Sequence, residues 1–194
     1  MRFFYGLVIW IALAGLAPTV SPIVPAHAAK TAAERAAQLD TLFAKLQTAK
    51  SDEDADLIVA DIWAMWNLSG SEQIDEIMQR AQSLMHMGAL GMALEVLDDV
   101  VRTAPDYAEG WNRRATVLFF IGQYDRSWKD CEEVLRREPR HFGALAGMGM
   151  IALTQGRHSA SLEAFRRALK VNPFMKERRE LIPALERKVG GREL

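Results

Sequence analysis

Cysteine is nearly missing from this chain. Cys131 stands alone among 194 residues, so no internal disulfide can form. Net charge is missing as well: 24 Lys and Arg against 25 Asp and Glu leave −1, which removes any argument for general nucleic-acid affinity. After residue 28 no alternating run of β-branched residues is long enough for a strand. Histidine is scarce, at 27, 86, 141 and 158, and none pairs with a nearby carboxylate or cysteine at ligand spacing. No Ser-His-Asp arrangement is suggested either. These absences leave no catalytic, metal or cofactor residue to nominate, and the expectation is a non-enzymatic protein without cofactors. Apolar side chains, in contrast, make up 49% of the chain, enough for a packed core.

Residues 1–28 differ from everything after them. Met1-Arg2 is a minimal positive start, Phe3 to Ala17 is uncharged and apolar, and Pro18, Pro22 and Pro25 lead to Ala26-His27-Ala28, a small-x-small cleavage pattern. This reads as a secretory signal peptide cut between Ala28 and Ala29, which predicts export to a bacterial periplasm. A scarcity of cysteine is compatible with that oxidising space. The competing reading keeps Phe3 to Val20 as an uncleaved membrane anchor, since its length just reaches that of a short spanning helix. Contact with a membrane is expected only in that case.

Beyond residue 28 the periodicity is helical throughout. Thr31 with Glu34 makes a capping box ahead of Leu39, Leu42, Phe43 and Leu46, and Ser51 caps a second segment in which Ile58, Ile62, Met65 and Trp66 share a face. Gly70 ends this hairpin, which occupies residues 29–73. After it, prolines fall at 105, 139 and 173, and glycines at 88, 122 and 156, both spaced by 34 residues. Three units follow that period, at 74–107, 108–141 and 142–173. Small residues recur in frame at Ala81, Ala115 and Gly149, and again at Ala93, Ser127 and Ser161.

The middle unit, "AEGWNRRATVLFFIGQYDRSWKDCEEVLRREPR", resembles the tetratricopeptide repeat at Trp111, Gly122, Tyr124 and Pro139, and its two neighbours keep the frame. The resemblance implies an all-α solenoid of three helix-turn-helix repeats. In that arrangement the N-terminal hairpin is a cap with Trp63 and Trp66 as plugs over the first repeat, and 174–194 is a C-terminal cap helix restarted or kinked by Pro183. It also implies a concave groove, lined by the first helix of each pair, that receives a protein or peptide partner. By frame the first repeat offers Asp75, Met78, Gln79, Gln82, Met85 and His86. The second offers Glu109, Asn112, Arg113, Thr116, Phe119 and Phe120, and the third Gly143, Ala146, Gly147, Met150, Leu153 and Thr154. Met85, Phe119 and Phe120 read equally well as partly core residues. Only Asn112 and Arg113 suit a carboxylate clamp, so the groove reads as a seat for a peptide with apolar anchors.

The stretch "FGALAGMGM" at 142–150 holds three glycines and tempts a phosphate-loop reading. That motif needs a strand before its glycines, and helix stands on both sides here. Gly149 instead takes the small place required for helix pairing, while Gly143 and Gly147 are expected to leave the groove floor bare. Charge is uneven along the array: thirteen acids and two bases lie between Ser51 and Glu109, against ten bases and five acids from Arg157 onward. The resulting expectation is a scaffold or adaptor of the periplasm or cell envelope. The alternative is an assembly factor held to the membrane by its N-terminus.

Overall fold

The computed structural model describes residues 32–178 and 181–191. The signal-peptide reading and the capping role of Thr31 lie outside them. Regular structure among the described residues is all helical: α1 Ala32–Gln47, α2 Asp52–Asn67, α3 Glu72–His86, α4 Leu90–Thr103, α5 Ala108–Phe120, α6 Tyr124–Arg137, α7 Phe142–Thr154, α8 His158–Val171, a single 3-10 turn Lys176–Arg178, and α9 Leu181–Gly190. No described helix is long and apolar enough to cross a membrane.

The three pairs α3/α4, α5/α6 and α7/α8 are built by one recipe. Each turn glycine is left-handed, with φ of 73° at Gly88, 79° at Gly122 and 72° at Gly156. An added Cβ would meet nothing within 4 Å at any of them, so backbone hand alone calls for glycine. The residue after each glycine donates its N–H back five positions, from Ala89 to Leu84, Gln123 to Leu118 and Arg157 to Ala152, closing the first helix in a Schellman turn. The second helices end at Thr103, Arg137 and Val171, each two residues ahead of its proline. At Gly149 a Cβ would lie 2.7 Å from the Phe165 ring, so glycine is what lets α7 and α8 cross. The serines do more than stay small: Ser127 Oγ donates to the Ala115 carbonyl at 2.7 Å and Ser161 Oγ to that of Gly149 at 2.8 Å.

Helix α7 has no polar stripe and buries nine of its thirteen residues. A helix apolar all round must be covered all round, and α7 is: α6 lies on one side, α8 on another, and α2 reaches its N-terminal end. Pro183 falls in the first turn of α9, where the missing N–H costs nothing, so the chain restarts there instead of kinking.

The N-terminal hairpin departs from expectation. Ser51 does cap α2, accepting from the Asp54 N–H at 3.0 Å, but Trp63 and Trp66 do not plug the first repeat. They lie against the start of α7. Trp66 stacks on His141 with centroids 4.0 Å apart and planes 16° from parallel, and Trp63 meets the same ring and Phe142 edge-on. Leu42, Phe43, Leu46 and Ile62 share a buried cluster with Phe142, against which Val171 and Phe174 also pack. Gln47 Nε2 donates to the Val171 carbonyl at 2.7 Å and Arg140 Nη1 to Asp40 at 2.6 Å. The reason is aromatic area: the hairpin's three large rings, Phe43, Trp63 and Trp66, find apolar cover against Phe142 and the His141 ring.

Candidate functional site

Two features meet where α2 reaches the repeats. The first is a buried polar joint. Glu109, in the first turn of α5, is 1% exposed. Its Oε2 accepts from Asn112 Nδ2 at 2.9 Å and lies 3.3 Å from His141 Nε2; its Oε1 accepts from Arg113 Nε at 2.7 Å. His141 Nδ1 accepts the Ala144 N–H at 3.0 Å, so that nitrogen carries no proton and Nε2–H is the donor to Glu109. Burial by itself would raise the Glu109 carboxyl, yet the hydrogen bonds from His141 and Arg113 and the guanidinium charge outweigh it and hold the group below the ordinary carboxylate value. Arg113 also donates to Asn67 Oδ1 at 2.8 Å, and Tyr107 Oη to the Asn67 carbonyl at 2.8 Å, fastening the end of α2 to α5. Burial, then the neighbouring Glu109 and Asp75 charges, push the Tyr107 phenol well above its usual value, so it stays a donor.

The second feature is a small, partly open pocket between α5, α6 and α7, lined by Asn112, Ala115, Thr116, Phe119, Phe120, Ser127, Cys131, Gly143, Gly147 and Met150. No charged side chain lines it. The Cys131 thiol is pushed up to about 12, first by burial and then by the Asp130 and Glu132 charges, so it is a neutral, apolar surface here.

Seven residues expected in the groove thus come together: Asn112, Thr116, Phe119, Phe120, Gly143, Gly147 and Met150. Others do not. Gln79 and His86 are exposed, Gln82 and Met85 half-buried, and none of these four lines the pocket. Met85 packs on the first-repeat core, in which Met78 is buried. Ala146 is turned away and buried with Leu162, Phe165 and Ile182, because the face of α7 that it occupies is covered by α8 and α9. Gly143 is not bare: a Cβ there would sit 2.7 Å from Trp63 Cη2. Glu109 is internal, and Asn112 and Arg113 do hold a carboxylate, but it is the chain's own. His141 does meet a carboxylate, Glu109, but one 32 residues away that spacing along the chain could not indicate, since the two are joined by the stacking of α5 and α7. Sequence reasoning also missed Ser127 and Cys131, one turn apart on α6 and both part of the pocket wall. Their signal was small size on a helix face turned to the partner helix.

The tetratricopeptide repeat family model matches residues 142–174. A TPR repeat-containing protein of Rhizobium etli is 40% identical over 154 residues, covering 79% of this chain and 76% of the relative. Among solved structures, the TPR domain of Sgt2 from Aspergillus fumigatus is similar at TM-score 0.59 and 15% identity, over 63% of this chain and 83% of that one. The TPR2B domain of yeast Sti1, solved as a complex with pHsp70, is similar at TM-score 0.55 and 19% identity, over 63% of this chain and 99% of that one.

Proposed function

The chain belongs to the tetratricopeptide repeat family, and from that premise we propose that it is a non-enzymatic scaffold of the bacterial periplasm or cell envelope that binds a protein segment in the pocket between α5 and α7. Family members serve in general as protein-interaction scaffolds, and the Sti1 domain binds its pHsp70 partner. The observation that carries the reading is the pocket itself: an apolar concavity on the first helices of repeats two and three, where a Cβ at Gly147 would meet Cys131 Sγ at 3.4 Å and no other described side chain within 4 Å. Asn112 and Arg113 are committed to Glu109, which turns the site away from a terminal carboxylate and toward an apolar anchor. Export is supported by the Ala26-His27-Ala28 pattern behind an apolar run.

Crosslinking and affinity capture from periplasmic extract test both halves. The wild-type protein is expected to retain a partner that Phe120→Ala with Met150→Ala loses. An unchanged capture profile removes the pocket from the function. N-terminal sequencing of the exported protein is expected to begin at Ala29, and a start at Met1 would favour the membrane-held alternative.

A further inference from the structure

Helix α2 is apolar on two sides. Its buried side carries Ala55, Ile62 and Trp66, whereas the opposite side, beyond the acidic first turn, carries Leu57, Ala60, Asp61, Ala64 and Leu68 at helical spacing. The two leucines are 71% and 55% exposed. They stand about 16 Å apart along the axis and bracket an alanine pair that leaves the middle of the face low. The outward side of α8 shows what a solvated face looks like in this chain: Ser159, Glu163, Arg166, Arg167 and Lys170, with no exposed apolar residue. Carboxylates border the α2 stripe. Glu53 and Asp61 are exposed, and neither pairs with a base among the described residues.

We propose that this face of α2 docks on the basic outer surface of α8 and α9 in a second copy of the chain. Four bases there, Arg167, Lys170, Arg187 and Lys188, are exposed and unpaired among the described residues. The Arg166–Glu186 bridge at 2.7 Å joins the two helices into one surface, on which Glu163 is the exposed acid left unpaired. Arginine and lysine suit a mixed stripe, because their aliphatic stems cover leucine while their heads reach the bordering carboxylates. Charge selects this partner over the simpler one. Two α2 faces packed about the Ala60–Ala64 centre would set Asp61 against Asp61, within a region that holds thirteen acids and two bases from Ser51 to Glu109. The acidic and basic surfaces are also neighbours on one copy, since Gln47 at the end of α1 donates to the Lys170 and Val171 carbonyls at 3.3 and 2.7 Å. A two-fold axis between them brings each α2 onto the other copy's α8 and α9, making the contact twice and closing a dimer. The pocket between α5 and α7 takes no part in it, so the inference is independent of the groove reading.

Light scattering and sedimentation of the purified protein across a dilution series provide the test. A dimer is expected, weakened about tenfold between low and high salt. Glu53→Lys with Asp61→Lys should leave a monomer, and so should Arg187→Glu with Lys188→Glu; all four positions are exposed, so thermal melts should shift little. An equimolar mixture of these two variants should recover a mixed dimer, because both of its contacts then join opposite charges. Leu57→Ser should weaken the wild-type dimer about tenfold, while Phe120→Ala with Met150→Ala, which probes the pocket, should leave it unchanged. A mixture that stays monomeric, or a dimer that survives the reversals, would overturn the proposal. So would a dimer lost by reversal in α2 but indifferent to reversal in α9, which would put a different occupant on the stripe. A monomer at every concentration overturns it as well, and resistance of Leu57→Cys to thiol labelling in that monomer would show that another segment of the same chain covers the stripe.

Discussion

The α1/α2 hairpin and the three repeats are all paired antiparallel helices, yet they are placed by different means. A repeat is placed by its own frame: a left-handed glycine, a Schellman closure and a small residue at the crossing recur every 34 positions and fix each pair upon the last. The hairpin shares only the small crossing residue, Ala55, while its own turn has neither a left-handed glycine nor a Schellman closure. It is placed by what its surface matches elsewhere, two indoles against His141 and Phe142 and one asparagine between Arg113 and Tyr107. Periodic signals therefore locate an element by counting, whereas an aperiodic element goes where its large rings find cover. The hairpin consequently lies against the starts of α5 and α7, beside the candidate site, with Trp63 against Gly143 and Asn67 holding Arg113.

The joint between the two regions is where the largest effect is expected. Glu109→Ala removes the shared acceptor of Asn112, Arg113 and His141 and should cost about 3–5 kcal/mol, since breaking a buried hydrogen-bonded charge pair strands its partners. Denaturant unfolding measures it. A loss below about 1 kcal/mol would mean that water satisfies the joint and that the two regions are not fastened there. The pH profile adds a signed readout. The folded-state value of the carboxyl lies below the ordinary one, so its contribution is whole above the ordinary carboxylate range and is lost as pH falls through the depressed folded value. Melting followed from neutral pH to about 3 should show an acid limb for wild type that Glu109→Gln lacks in part.

How much of this was legible in the chain follows from the same contrast. The repeat boundaries, turn glycines and crossing positions could be counted, because each is dictated by backbone hand or by a distance between helices that repeats with the sequence. Seven pocket residues follow from that frame as well. Ala146 does not, because counting places a residue on a helix but does not say which faces a later element will cover. The Trp63 and Trp66 seats were invisible for a stronger reason: a ring-to-ring contact between residues some 80 positions apart leaves no local pattern. Glu109 and His141 look like ordinary first-turn and pre-helix residues until stacking brings them together.

A substitution of next-largest effect separates the regions directly. Trp66→Ala should cost about 3 kcal/mol, but the loss should be local. Hydrogen exchange is expected to accelerate over 32–67 while α5 through α8 keep their protection. Phe165→Ala, a truncation of similar size inside the third repeat, should loosen the repeats together, because Phe165 is 1% exposed at the α7/α8 crossing. Equal exchange everywhere in Trp66→Ala would show that hairpin and repeats unfold as one unit, and would end the distinction drawn above.

The smallest expected effect compares the repeats with one another. Ser127 and Ser161 each donate to a carbonyl twelve residues earlier, across the crossing of their pair, whereas the first repeat has Ala93 at the corresponding place and manages by closeness alone. Ser127→Ala and Ser161→Ala should each cost about 1 kcal/mol, the net worth of a buried hydrogen bond whose acceptor keeps its helical partner. The denaturant midpoint should fall without a change in slope, because no surface is newly exposed in the folded state. If both substitutions prove neutral, small size is the whole requirement at the crossing and the hydroxyls only fill it. If they cost as expected, repeats two and three, which carry the pocket between them, are held more firmly than the first. That is the order a pocket between these helices needs, since its walls hold their shape only while α5, α6 and α7 keep their spacing.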